Sequence, residues 1–115
     1  MLSKENTINL EDFRVTDGTR VSKVFTGRDR GKFVREKSKI DELETMYESI
    51  NIIIPNNVYS INPSFFEEFI INVVTKLGKE EFLRKFNFTF EGEYQFPMQL
   101  EQAIDRILKN KTALD

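Results

Sequence analysis

Ile50-Asn51-Ile52-Ile53-Ile54, closed by Pro55-Asn56-Asn57, is a short β-branched run that is apolar at four of its five positions. Bounded by turn residues, such a run reads as a strand buried on both faces at the centre of an α/β sheet. An aspartate at Ile53 is then expected to prevent folding, because a buried unpaired charge is costly. Downstream, Asn62-Pro63 carries the signature of a helix start, with Asn at the cap and Pro at the first helical position. Phe65, Phe66, Phe69, Ile70, Val73, Val74 and Leu77 make that helix mostly apolar, and Gly78 stops it. At helical spacing the three phenylalanines read as core, with at least two buried under the sheet, in preference to a stacking platform for single-stranded nucleic acid.

Working outward, Lys79 to Phe86 reads as a short helix, Asn87 to Phe90 as a strand, and Met98 to Leu108 as a last amphipathic helix before a tail that frays from Lys109. Towards the N-terminus, Ile8, Leu10, Phe13 and Val15 precede Thr16-Asp17-Gly18-Thr19, and Val21 and Phe25 then alternate with polar residues. Asp-Gly favours a type I′ turn, so a β-hairpin is predicted with strands near 7–16 and 19–25. Between hairpin and central strand, Phe33, Ile40, Leu43 and Tyr47 share one helical face. A helix over 27–48 is predicted, capped by Thr26 with Asp29, and broken near the polar stretch Arg35 to Lys39, where Ser38 with Asp41 forms a second cap. The order ββαβα(α)βα describes one 115-residue α/β domain, with a core over about 7–108.

Side-chain inventory narrows the chemistry further than any motif. The chain has no His and no Cys. It therefore lacks the parts of a Ser-His-Asp triad, a thiol nucleophile, a typical zinc site and a disulfide framework. What survives is carboxylate chemistry, as an acid/base pair or as Mg²⁺ held by Asp and Glu oxygens, and no diagnostic spacing accompanies it. No catalytic residue, metal ligand or cofactor is assigned. With no apolar leader at Met1 and no membrane-length apolar run, the expected location is the cytoplasm.

Charge is unevenly spread. Residues 20–39 hold eight basic side chains against Asp29 and Glu36, a net +6 in a chain whose total is −2, so the remainder carries −8. The asymmetry predicts a charged contact surface. Arg28, Arg30, Lys32 and Arg35 are candidate anion ligands; the alternative is a solvated helix face. Adjacent on a helix, Glu67 and Glu68 point about 100° apart and do not form the facing pair that acid/base hydrolysis uses. They fit better as partners of Arg28 or another basic group. Gly31 reads as a site of close packing of helix on sheet, and Ser64 as a hydrogen-bonding residue at a helix start.

Gly27-Arg28-Asp29-Arg30-Gly31-Lys32-Phe33-Val34, the isoleucine-rich strand and Ser64-Phe65-Phe66-Glu67-Glu68-Phe69 together resemble the STAS-like domain of prokaryotes, over roughly residues 20–108. Arg28 and Gly31 match the family's first run, and Phe65, Glu67 and Glu68 its second. The resemblance implies a STAS-like α/β fold: a central mixed sheet of about four strands, an N-terminal hairpin and helices packed on the sheet. It also implies a non-enzymatic regulatory module, related to anti-sigma factor antagonists, whose partner is another protein such as a kinase-like ATPase. Contact would then fall to Arg28, Asn57, Tyr59, Ser60, Asn62, Ser64, Glu67 and Glu68. Gly27 stands where the family usually has Ser, Pro55 near its strand-end Asp, and Asn62-Pro63 where the antagonists carry Asp-Ser. Ser60 and Ser64 are the remaining phosphosite candidates. Competing with this reading are binding of an anionic ligand, nucleotide or nucleic acid by segment 20–39, and a carboxylate enzyme using Mg²⁺.

Overall fold

The computed structural model describes residues 6–14, 16–17, 20–21, 23–92 and 96–114. Strand β1 (Thr7–Asn9) runs into a 3-10 turn at Leu10–Phe13, followed by β2 (Thr16–Asp17), β3 (Arg20–Val21) and β4 (Val24–Phe25). Helices α1 (Arg28–Ser38) and α2 (Ile40–Met46) lead to β5 (Ile50–Ile54) and β6 (Ser60–Ile61). Helix α3 (Pro63–Lys85), β7 (Phe86–Phe90) and α4 (Pro97–Leu114) complete the order.

The main sheet has three strands, in the order β1-β5-β7, and both pairings are parallel. The central strand is β5, as its composition predicts, but the sheet is neither mixed nor four-stranded. Two small ribbons stand apart from it: β2 with β3, antiparallel, and β4 with β6, parallel. The predicted hairpin survives only as β2 and β3, and Gly18 and Thr19 at its turn lie outside the described residues. β1 instead leaves the hairpin to pair with β5.

This order explains where the helices sit. From β1 to β5 to β7 the chain steps always in the same direction, and right-handed crossovers then put every connecting helix on one face. α3 packs between α1 and α4 in that layer. Ile50, Ile52 and Ile54 point into it and are at most 1% exposed, beside Ile8, Phe86 and the half-buried Phe88 and Phe90. The opposite face carries Thr7, Asn9, Asn51, Ile53, Asn87 and Thr89, with Asn87 and Thr89 exposed and Ile53 half-buried. Helices therefore cover β5 on one face only, although on the other Asn51 is still buried, at 8% exposure, and only Ile53 is half-buried.

The helix boundaries differ in detail from the prediction. α1 begins with Gly27 at the cap, at φ 89°, rather than with Thr26, because a positive φ suits a residue without Cβ and no side chain caps the helix. The predicted break falls at Lys39, whose left-handed φ of 59° separates α1 from α2; Ser38 supplies no cap to α2. In α3, Gly78 at φ 81° and ψ 170° ends the first helix where a stop is predicted, and the short helix predicted beyond it follows across a kink. Phe65, Phe66 and Phe69 are all fully buried. β7 starts one residue early, at Phe86, and α4 extends past the expected fraying point at Lys109 to Leu114. Among the described residues no helix is long and apolar enough to cross a membrane.

The two faces of β5 make opposite predictions for one charge. Ile52→Asp buries an unpaired carboxylate at a 0% exposed site and should abolish folding. Ile53→Asp, at a half-buried position on the other face, should cost less and remain folded, unlike the outcome expected from sequence. Far-UV circular dichroism and urea titration of the two variants check this.

Candidate functional site

The carboxyl ends of parallel strands are where loops gather in α/β sheets. Here that edge is stapled by backbone and by one arginine. After β5 the chain turns at Asn56-Asn57, with Asn57 at a left-handed φ of 62°, which asparagine tolerates better than most residues. The Arg14 guanidinium donates to the carbonyls of Asn56 and Asn57, each at 3.2 Å, while it pairs with Glu11 at 2.8 Å. The Tyr59 N–H donates to the Lys23 carbonyl at 2.7 Å, and the Asn62 N–H to the Phe25 carbonyl at 3.2 Å, locking the β4–β6 ribbon. Asn62 Oδ1 then accepts from the Phe65 N–H and the Ser64 hydroxyl, so both residues serve the start of α3 as their types predict.

On this frame Asn57, Tyr59 and Ser60 are exposed, and Asn62 and Ser64 are half-buried. Tyr59 is 51% exposed, and the Lys23 ammonium lies 5.1 Å from its ring centre. Val24, next along the ribbon, is 43% exposed. At the start of α1, Thr26, Gly27, Arg28, Asp29, Arg30 and Phe33 line an open concavity of about 580 Å³. The Arg30 guanidinium covers the Phe33 ring at 4.5 Å and donates to the Phe13 carbonyl.

The two runs that carry the family resemblance meet where α1 crosses α3. A Cβ on Gly31 would stand 2.4 Å from the Phe65 carbonyl oxygen and 2.8 Å from Glu68 Cβ, so the helices touch through bare backbone. Gly31 is a packing glycine, as predicted, though it packs on a helix and not on the sheet. The contact brings Arg28 Nη1 to 3.3 Å from Glu67 Oε1 and 3.5 Å from Glu68 Oε2. Arg35 donates to the Glu68 carbonyl and lies 3.4 Å from Glu68 Oε1, while Arg106 of α4 reaches Glu67 at 3.8 Å. Two carboxylates thus face three guanidiniums. Of the four candidate anion ligands, Arg28 and Arg35 are turned towards α3, Arg30 lies over Phe33, and Lys32 is exposed. Among the described residues no group of three or more acidic side chains could hold a metal ion.

Three charged residues with organising contacts are not among the predicted ones: Arg14 and Arg106 on this side of the molecule, and Glu44 between α2 and the far part of α3. Glu44 is 5% exposed and receives Lys76 at 2.6 Å and Lys85 at 2.8 Å. Its position four residues after Ile40, on the apolar stripe of α2, was the available signal. Burial raises the Glu44 pKa, but hydrogen bonds and charge from Lys76 and Lys85 more than offset it and hold the carboxyl below the ordinary 4.5. Compared with family models, curated proteins and solved structures, the chain gave no match.

The depressed Glu44 value fixes a sign. The ionised form is favoured in the folded state, so its stabilisation is complete above about pH 4.5 and is lost as pH falls through the lower folded value. Glu44→Gln should cost about 1–3 kcal/mol near neutrality. The gap between the two proteins, followed by urea titration at a series of pH values, should stay level down to about pH 5 and close below pH 4.5.

Proposed function

We propose that this chain is a non-enzymatic regulatory module, resembling the STAS-like family, that binds another protein through the carboxyl edge of its sheet. A kinase-like ATPase is the kind of partner the resemblance implies. The observation that carries the reading is the pairing of a braced frame with an exposed mixed surface. Tyr59, Val24 and Phe33 are 51%, 43% and 42% exposed, and Lys23 and Arg30 lie against two of them. Aromatic and arginine side chains on a fixed backbone are the usual anchors of protein interfaces. The glutamates best placed for chemistry are instead occupied by Arg28, Arg35 and Arg106. Ser60, exposed on the ribbon, is the more accessible candidate for phosphorylation, since Ser64 is committed to Asn62.

Binding and catalysis separate in two assays. Phosphatase, nuclease, esterase and ATPase substrates should show no turnover above background with or without Mg²⁺; Mg²⁺-dependent hydrolysis lost in Glu67→Gln or Glu68→Gln would replace this reading with a carboxylate enzyme. A complex with the ATPase partner should weaken at least tenfold in Tyr59→Ala and Phe33→Ala, as interface anchors do. It should change little between low and moderate salt. Binding that instead falls log-linearly with salt would favour a phosphate-bearing ligand on segment 20–39.

A further inference from the structure

The outer edge of β7 is built to pair with itself. The Glu91 N–H donates to the Ile54 carbonyl, and β7 pairs with β5 residue for residue without a bulge. In a parallel ladder this phase turns the N–H and C=O groups of Asn87 and Thr89 towards β5 and those of Phe88 and Phe90 outward. Among the described residues no strand pairs with that outer edge. The devices that usually blunt an edge, a lysine or proline within the strand or a bulge, are absent from Phe86 to Phe90. Phe88 and Phe90, although they face the helix layer, are only half-buried.

We infer that two copies of this chain join through β7, antiparallel about a two-fold axis at Phe88, into one continuous six-stranded sheet. The sequence Phe86-Asn87-Phe88-Thr89-Phe90 has the same apolar/polar pattern in both directions. Turned about Phe88, it sets Phe86 opposite Phe90 of the second copy, Phe88 opposite itself, and Asn87 opposite Thr89. The outward residues Phe86, Phe88 and Phe90 fall in hydrogen-bonding positions, and Asn87 and Thr89 in the closer, non-hydrogen-bonded ones. Phe86 already donates its N–H to the Phe82 carbonyl but still offers its own carbonyl. The same register sets residues 84 and 85 alongside Glu91 of the second copy; the cation near it is the exposed Arg84, which pairs with Glu81 of its own helix, while Lys85 is held by Glu44. An isologous contact needs such self-complementarity. It is independent of the partner surface described above.

The absence of cysteine makes the register testable. Asn87 and Thr89 are exposed, so Asn87→Cys and Thr89→Cys should leave the monomer intact, as circular dichroism would verify. Opposed non-hydrogen-bonded positions lie about 4.5 Å apart at Cα, within disulfide reach. Under mild oxidation a mixture of the two variants should form a covalent dimer, and each variant alone should not. Light scattering of the unmodified chain should show a concentration-dependent dimer, weakened about tenfold or more by Asn87→Lys with Thr89→Lys and restored by Asn87→Lys with Thr89→Glu. Monomeric mass at all concentrations, or cross-linking as efficient in the separate samples as in the mixture, would overturn the proposal.

Discussion

The backbone contact between α1 and α3 at Gly31 sets the distances on which the rest of this side of the molecule depends. With no Cβ at Gly31, α1 settles directly against the Phe65 carbonyl and the Phe69 amide. That approach lets Arg28 and Arg35 reach carboxylates on the neighbouring helix, and a third guanidinium, from α4, arrives from the other side. Beneath it, Phe65 contacts Phe25 at a ring-centre distance of 5.2 Å, tying the start of α3 to the β4–β6 ribbon. Helices, ribbon and exposed aromatic surface are thus parts of one packed arrangement.

The second constraint is topological. A chain that always steps the same way across a parallel sheet can cover only one face with its right-handed crossovers. The polar choices at the exposed Asn87 and Thr89 follow from that. Two buried glutamates then brace the helix layer at separate places, Glu67 between α1 and α4 and Glu44 between α2 and the far part of α3. Each is surrounded by cations, as a carboxylate withdrawn from water must be.

What could be read from the sequence was local. Ile50 to Ile54 identifies itself by composition, Asn62-Pro63 by capping chemistry, and Gly78 by its backbone freedom. The pairing of β5 with β1 and with β7 was not legible, because it joins segments more than thirty residues apart and no local pattern encodes it. The buried central place of β5 is borne out at four of its five residues; that Ile53 alone is half-buried does not follow from the isoleucine run. In the candidate site, the meeting of Arg28 with Glu67 and Glu68 was legible from their charge and from the gathering of loop ends at one edge of a βα sheet. The reach of Arg14 to the Asn56-Asn57 turn and of Arg106 to Glu67 was not, because both depend on tertiary geometry.

The central claim, that contact at Gly31 holds this arrangement together, is tested most directly by the stability of Gly31→Ala. In an open helix this exchange stabilises by roughly 0.5–1 kcal/mol, through alanine's better helix propensity. Against the Phe65 carbonyl the added methyl must push α1 away, and overpacking of that kind costs about 1–3 kcal/mol. Urea titration should therefore find the variant less stable than the parent chain. A variant as stable as the parent, or more so, would contradict the account.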